Sequence, residues 1–314
     1  MTPDAASPGA AQSQTFWTHD YTAKKGDVSL AMYRKRCSAP AAGEAPLPVL
    51  FLVHGSSLSS RSTYDLTVPG AGEYSMMNVF ARLGWDVWTM DFEGYGRSTQ
   101  TAGNSDIKSG VEDLTAAMAV VTRETGQPRA SFIGESSGAL RAGAFAEARP
   151  DAIDRLVLVA LTYTGKGSPT LAKRGEQVEF FRTHNRRPRD RAMIESIFTR
   201  DKPGTADPRV PAAIAAAELP HGDTVPTGTY LDMVANLPVV DPAKITAPVM
   251  ILRGEYDGIA SDADLLDFYE KLATQDRQYV IIAGAAHSVG LGYNRAKFWH
   301  MAHAFLTMPA GQPV

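Results

Sequence analysis

The stretch Ser131-Phe132-Ile133-Gly134-Glu135-Ser136-Ser137-Gly138-Ala139-Leu140 decides how this chain reads. An apolar β-type run, residues 130–133, enters it, and a helical run of small residues, 139–147, leaves it and is stopped by Pro150. The pattern is strand, sharp turn, helix, with Gly-x-Ser-x-Gly at the turn. The glycines have a steric reason. A serine on so tight a turn holds a strained backbone, and residues two before and two after must be small, or strand and helix collide. The Ser136 hydroxyl then stands exposed above the sheet. The Ser137 amide falls at a helix N-terminus, where a partial positive charge can stabilise an oxyanion. Ser137 lacks a glycine two residues before it and is the weaker nucleophile candidate.

Outward from this turn, short β-rich runs alternate with helix-like stretches, the pattern of a mostly parallel sheet covered by helices. Strands are expected at 28–33 (one of an antiparallel pair at the edge), 48–53, 85–90, 130–133, 155–161, 248–253 and 278–282. Helices are expected at 74–83, 107–124, 139–147 and 295–306, with Leu114, Met118 and Val121 on one face of the second. Between about Tyr163 and Val240 the rhythm breaks. No buried-type strand occurs there, and helical patterns at 170–182 and 189–200 are separated by Pro- and Gly-rich breaks. A helical cap inserted into the core is expected, giving a core of 17–162 and 241–314 and a cap of 163–240. Residues 1–16, rich in Ala, Pro, Ser and Gly, are expected to form a disordered tail without the features of a signal peptide.

Composition limits the function classes. The chain has 314 residues, 44% of them hydrophobic, enough for one large domain with a full core. A formal net charge of −3 gives no reason to expect a nucleic-acid partner. The single cysteine, Cys37, excludes an intrachain disulfide and any multi-cysteine metal site. No apolar run approaches the ~18 residues of a membrane span. The expectation is a cytoplasmic protein without metal or organic cofactor, acting on a small molecule, with a homodimer left open.

Two further stretches join the serine turn. His54-Gly55-Ser56-Ser57 follows a buried strand, and Asp91-Phe92-Glu93-Gly94-Tyr95-Gly96-Arg97-Ser98 follows the next. Together the three resemble the α/β-hydrolase superfamily over roughly residues 18–306, apart from the cap. Within it, the chain looks most like capped esterases, lysophospholipase-like enzymes and meta-cleavage-product hydrolases. The resemblance implies an α/β fold with a doubly wound sheet of about eight strands. It assigns Ser136 as nucleophile. The base is His287, in the loop after the last strand, and the acid is Asp257, in Gly254-Glu255-Tyr256-Asp257, with Glu255 as rival. His54 is implied to be structural. The oxyanion amides are those of Ser137 and Ser56, with Ser57 an alternative for the second. Many relatives carry a proline shortly after the acid, where this chain has Gly258-Ile259-Ala260.

A serine nucleophile with a base and an orienting acid points to acyl transfer to water. A small or medium carboxylic ester is the expected substrate. A carbon–carbon bond in a vinylogous diketone, an amide or a thioester could use the same triad. Basic residues outnumber acidic ones between Lys166 and Arg209. One or two of Arg174, Arg182, Arg186 and Arg187 could face the entrance above Ser136 and attract a free carboxylate. Ser57, Phe180, Phe181, Ile197 and Phe198 are candidates to line the same pocket, and His184 and His221 are placed to touch substrate.

Overall fold

The computed structural model describes residues 15–309. Strands β1 (Trp17–Lys25) and β2 (Val28–Arg36) form a hairpin, followed by β3 (Val49–Val53), α1 (Ser60–Tyr64), α2 (Met76–Arg82), β4 (Asp86–Met90), α3 (Ile107–Thr125), β5 (Ala130–Glu135), α4 (Ser137–Ala148) and β6 (Ile153–Val159). A long insertion then carries α5 (Pro169–Gly175), α6 (Val178–Thr183), β7 (Arg186–Pro188), α7 (Arg191–Thr199), α8 (Arg209–Glu218), β8 (Thr224–Pro226) and α9 (Gly228–Leu231). The chain returns with β9 (Val249–Gly254), α10 (Asp262–Lys271), β10 (Arg277–Ile282) and α11 (Arg295–Leu306). The sheet has eight strands in the order β1-β2-β4-β3-β5-β6-β9-β10. Pairing is antiparallel from β1 to β4 and parallel from there on.

Strand β3 is apolar at every position, and β9 from Val249 to Leu252, because both sheet faces are covered there. Val49, Phe51 and Val53 enter one core cluster, while Leu50 and Leu52 enter the other. β9 repeats this, with Val249 and Ile251 on one face and Met250 and Leu252 on the other. One cluster collects α3, α4 and α10, and the other collects α2 and α11. α3 is delimited by its own sequence: the Asp106 carboxylate accepts from the Ser109 amide, and Gly126, at φ 73°, closes the far end.

Two expectations need adjustment. Trp17–Lys25 is a strand that apolar patterning does not reveal, since it lies at the sheet edge with most side chains exposed. The helical pattern of 170–182 is two short helices, α5 and α6, with a break at Glu176 and Gln177. The expected tail lies outside the described residues up to residue 14. Phe16 packs against the α2/α11 cluster and between the cations of Lys35 and Arg82.

The insertion sits on the core through two devices. A third apolar cluster joins Ile194, Ile197, Phe198, Val210 and Ile214 to Leu58, Leu66, Val68, Tyr74 and Leu291. Beside it, Glu218 is fully buried and accepts from the Ser59 amide (2.5 Å), the Ser59 hydroxyl (2.8 Å), the Ser62 hydroxyl and the Arg189 guanidinium.

Candidate active site

The Ser136 backbone has φ 59° and ψ −126°, a region that non-glycine residues rarely occupy. The neighbouring glycines make this turn possible. A Cβ on Gly134 would lie 2.4 Å from the Gly138 carbonyl oxygen, and one on Gly138 would lie 2.1 Å from the Val53 carbonyl oxygen. Strand β5 and helix α4 thus cross within backbone contact, and Ser136 is held at the crossing.

The hydroxyl points at a histidine. His287 Nε2 is 3.0 Å from Ser136 Oγ, and its Nδ1 is 2.9 Å from Asp257 Oδ1. His287 lies in the loop after β10 and Asp257 in the loop after β9, so the three side chains meet over the carboxyl ends of β5, β9 and β10. Burial pushes the Asp257 carboxyl up, but the His287 contact, the Ile259 amide and the nearby Arg200 bring it below its ordinary value. It therefore stands as a carboxylate able to accept the Nδ1 proton. Glu255, the rival acid, accepts from the Gly284 amide and lies outside the trio.

The loop after β3 is clamped from several sides. His54 is completely buried, and burial depresses it to about 3, so the ring is neutral. Its Nε2 accepts from the Phe92 amide (3.1 Å), which leaves the proton on Nδ1 to donate to the Gly55 carbonyl (2.8 Å). Tyr95 donates to the Ser56 carbonyl (3.0 Å). The Ser56 hydroxyl donates to that of Ser137 (2.7 Å) and accepts from Thr229 (2.8 Å). Ser56 and Ser137 are thus tied to each other, and α9 of the insertion holds the tie. Asp91 in turn accepts from the Ser60 amide (2.9 Å) and hydroxyl (2.6 Å), Tyr33 (2.9 Å) and the Arg97 amide (3.0 Å), which locks the turn after β4 against the start of α1.

Above Ser136 lies a narrow pocket of about 60 Å³, lined in part by Ser56, Ser57, Glu135, Ser136, Arg174, Ile197, Arg200 and His287. Glu135 is pushed up to about 7 by burial. Ser57, Arg174, Ile197 and Arg200 also line a wider chamber of about 570 Å³ beneath the insertion. Of the cap candidates, Arg174, Arg187 and Ile197 therefore face this space. Arg182 does not: it is exposed and paired with Glu179 one turn away. Phe181 is buried against Tyr230 (ring centroids 5.5 Å apart) and Phe198 is buried in the third cluster, so neither lines the pocket. Arg186 is used up on Thr224 and the Gly94 carbonyl. Phe180 stacks on an exposed His184, and His221 borders a separate surface groove.

Four residues at this site carry no local sequence signal. Arg200 and Asp201 follow α7, and Thr229 and Tyr230 lie on α9. Asp201, Asp257 and His287 bring ligand-type atoms within 4.8 Å of one another. A cation there would have to take a His287 nitrogen already engaged by Asp257 or Ser136. Among the described residues no helix is long and apolar enough to cross a membrane.

An eight-stranded, largely parallel sheet with a serine on the strand–helix crossing defines an α/β-hydrolase. The chain belongs to the hydrolase family described as serine aminopeptidase, S33, whose profile matches residues 66–291, more than half of its length. No curated protein sequence matches significantly. Among solved structures, it resembles the enol-lactonase from Burkholderia xenovorans LB400 (21% identity, TM-score 0.62, 92% of this chain and 100% of that one). It also resembles 2-hydroxy-6-oxo-6-phenylhexa-2,4-dienoate hydrolase from Rhodococcus sp. strain RHA1 (17%, TM-score 0.66, 93% and 99%). A third similar structure is E-2-(acetamidomethylene)succinate hydrolase (18%, TM-score 0.64, 92% and 98%).

Proposed function

We propose that the protein is a serine hydrolase that cleaves a carboxylic ester through an acyl-enzyme. The observation that carries this is the continuous contact from Ser136 Oγ through His287 to Asp257, at 3.0 and 2.9 Å. Ser136 Oγ attacks the ester carbonyl while His287 Nε2 takes its proton, and Asp257 holds the ring in the tautomer with the proton on Nδ1. The carbonyl oxygen, now anionic, is met by the amides of Ser137 and Ser56. Collapse of the tetrahedral intermediate expels the alcohol, which receives the proton from His287. Water, deprotonated by the same nitrogen, then releases the acid and restores Ser136.

The Ser56–Ser137 bond supports the oxyanion assignment, since it fixes the two proposed donor residues at one separation before substrate arrives. The family description names an aminopeptidase. A substrate with a free α-ammonium would meet Lys173, Arg174, Arg187 and Arg200 in the chamber, which favours an ester over a peptide amine. The test is a panel of chromogenic esters, anilides and thioesters, with a meta-cleavage-type dienoate alongside and Ser136→Ala as blank. Ester turnover should lead the panel, and Ser136→Ala should retain far less than a tenth of it. Comparable turnover by Ser136→Ala would remove the proposed nucleophile.

A further inference from the structure

The narrow pocket of about 60 Å³ and the wider chamber of about 570 Å³ share Ser57, Arg174, Ile197 and Arg200 in their walls. A substrate whose carbonyl reaches Ser136 must leave most of its remaining atoms in the outer chamber. That chamber is lined by Lys173, Arg174, Arg187 and Arg200, against one carboxylate, Asp201. Asp201 approaches Arg200, Oδ1 to Nε at 3.6 Å.

Arg182, Arg189 and Arg209 each reach a carboxylate, and Arg186 reaches a hydroxyl and two carbonyls. Arg174 does neither. Its one hydrogen-bond partner among the described residues is the Met233 thioether, at 3.8 Å. Its guanidinium lies 4.9 Å from the Tyr230 ring centroid, and the Arg187 guanidinium lies 4.9 Å from the same ring. Burial depresses Arg174 to about 10, and Arg200 and Arg187 add to this, yet it stays charged at neutral pH. A partly buried guanidinium with no carboxylate in hydrogen-bond reach among the described residues, beside two more cations, is an arrangement that an incoming anion relieves. A carboxylate suits the planar fork best, because it can accept two parallel N–H bonds.

Resting on the hydrolase reading above, we propose that Arg174, with Arg187 and Arg200 beside it, forms a carboxylate subsite, and that the natural substrate is an ester carrying a second, free carboxylate. The ester end enters the narrow pocket at Ser136 and the carboxylate stays in the chamber, where Arg174 receives it. The three arginines act as specificity-determining residues and take no part in the proton transfers.

The experiment compares 4-nitrophenyl monoesters of glutaric and adipic acid with the neutral 4-nitrophenyl pentanoate and hexanoate, all corrected for spontaneous hydrolysis. The better anionic ester should exceed its neutral partner at least tenfold in kcat/KM, mostly through KM. Arg174→Met should cut that anionic-to-neutral ratio at least tenfold, and Arg174→Lys should restore part of it. A ratio of one or below for both pairs, or a ratio that Arg174→Met leaves unchanged, would overturn the subsite. Calorimetric binding of monomethyl glutarate to Ser136→Ala separates this from the hydrolase reading. Binding weakened at least tenfold by adding Arg174→Met supports the subsite even if no ester is cleaved. Absence of any Arg174 dependence in binding refutes it even if esters are cleaved. Thermal unfolding of both Arg174 variants checks that they fold.

Discussion

His287 and Arg174 line the same narrow pocket and are treated in opposite ways. At the edge of the sheet, each ring nitrogen of His287 has a partner within 3.0 Å, and those partners stand on strand ends or turns locked into the core. In the insertion, Arg174 has a thioether and an aromatic face. Elsewhere in the insertion a buried arginine meets a carboxylate, as in the Arg189–Glu218 pair. Glu218 is satisfied by three hydrogen-bonding residues, whereas Arg174 has no carboxylate in hydrogen-bond reach among the described residues.

Four changes would break or sharpen this contrast, the largest first. Asp257→Asn should lower kcat by about 10⁴ with little change in Tm, because an amide can no longer fix the His287 tautomer while its shape still fills the site. A loss under tenfold in steady-state assays would mean that Asp257 does not orient the base. Glu218→Ala should destabilise the protein by about 3–5 kcal/mol, since it leaves the Arg189 guanidinium buried without its counter-charge. Chemical denaturation measures this, and a change below ~1 kcal/mol would show that the insertion is held by its apolar cluster alone. Thr229→Val removes the hydroxyl that donates to Ser56 and should lower kcat by about tenfold, with KM nearly constant. A loss of one buried hydrogen bond is of order 1 kcal/mol, which matches that factor. An unchanged kcat would detach α9 from the oxyanion residues.

The smallest effect concerns pH and stability. His54 is held near 3 in the folded protein against an ordinary value of 6.5, so between those values only the unfolded chain takes up the proton, and stability falls as pH drops below 6.5. Glu135 behaves in reverse. Its folded value of about 7 exceeds the ordinary 4.5, so its contribution is fully present below 4.5 and is lost as pH rises through 7. Glu135→Gln should therefore raise Tm at pH 8 relative to its value at pH 5, compared with the wild type, because the opposing His54 contribution is then uncompensated. A difference as wide as in the wild type would mean that this carboxyl does not titrate in that range.

Much of the core could be read from the sequence because its signals are local. Strands such as β3 are unbroken apolar runs, and the residues that meet over the sheet each follow a β-type run within a few positions: Ser136 after β5, Asp257 after β9 and His287 after β10. The edge strand Trp17–Lys25 escaped because one exposed face and one partner impose no apolar pattern. The insertion is harder because its contacts are distant in sequence. Arg182 looked like a pocket residue by composition, yet a glutamate three positions earlier captures it. Phe181 and Phe198 carry the right chemistry and point into packing. Thr229 and Tyr230 meet Ser56 and Ser57 across more than 170 positions, and no local pattern announces such a pairing.

The central claim, that Ser136 is a nucleophile activated by His287, is tested most directly by covalent trapping. The intact protein is treated with a fluorophosphonate and analysed by mass spectrometry with peptide mapping. One adduct per chain is expected, on the peptide that contains Ser136, absent in Ser136→Ala and formed far more slowly in His287→Ala. An adduct that persists in Ser136→Ala, or labelling of Ser136 at the same rate without His287, would contradict the account.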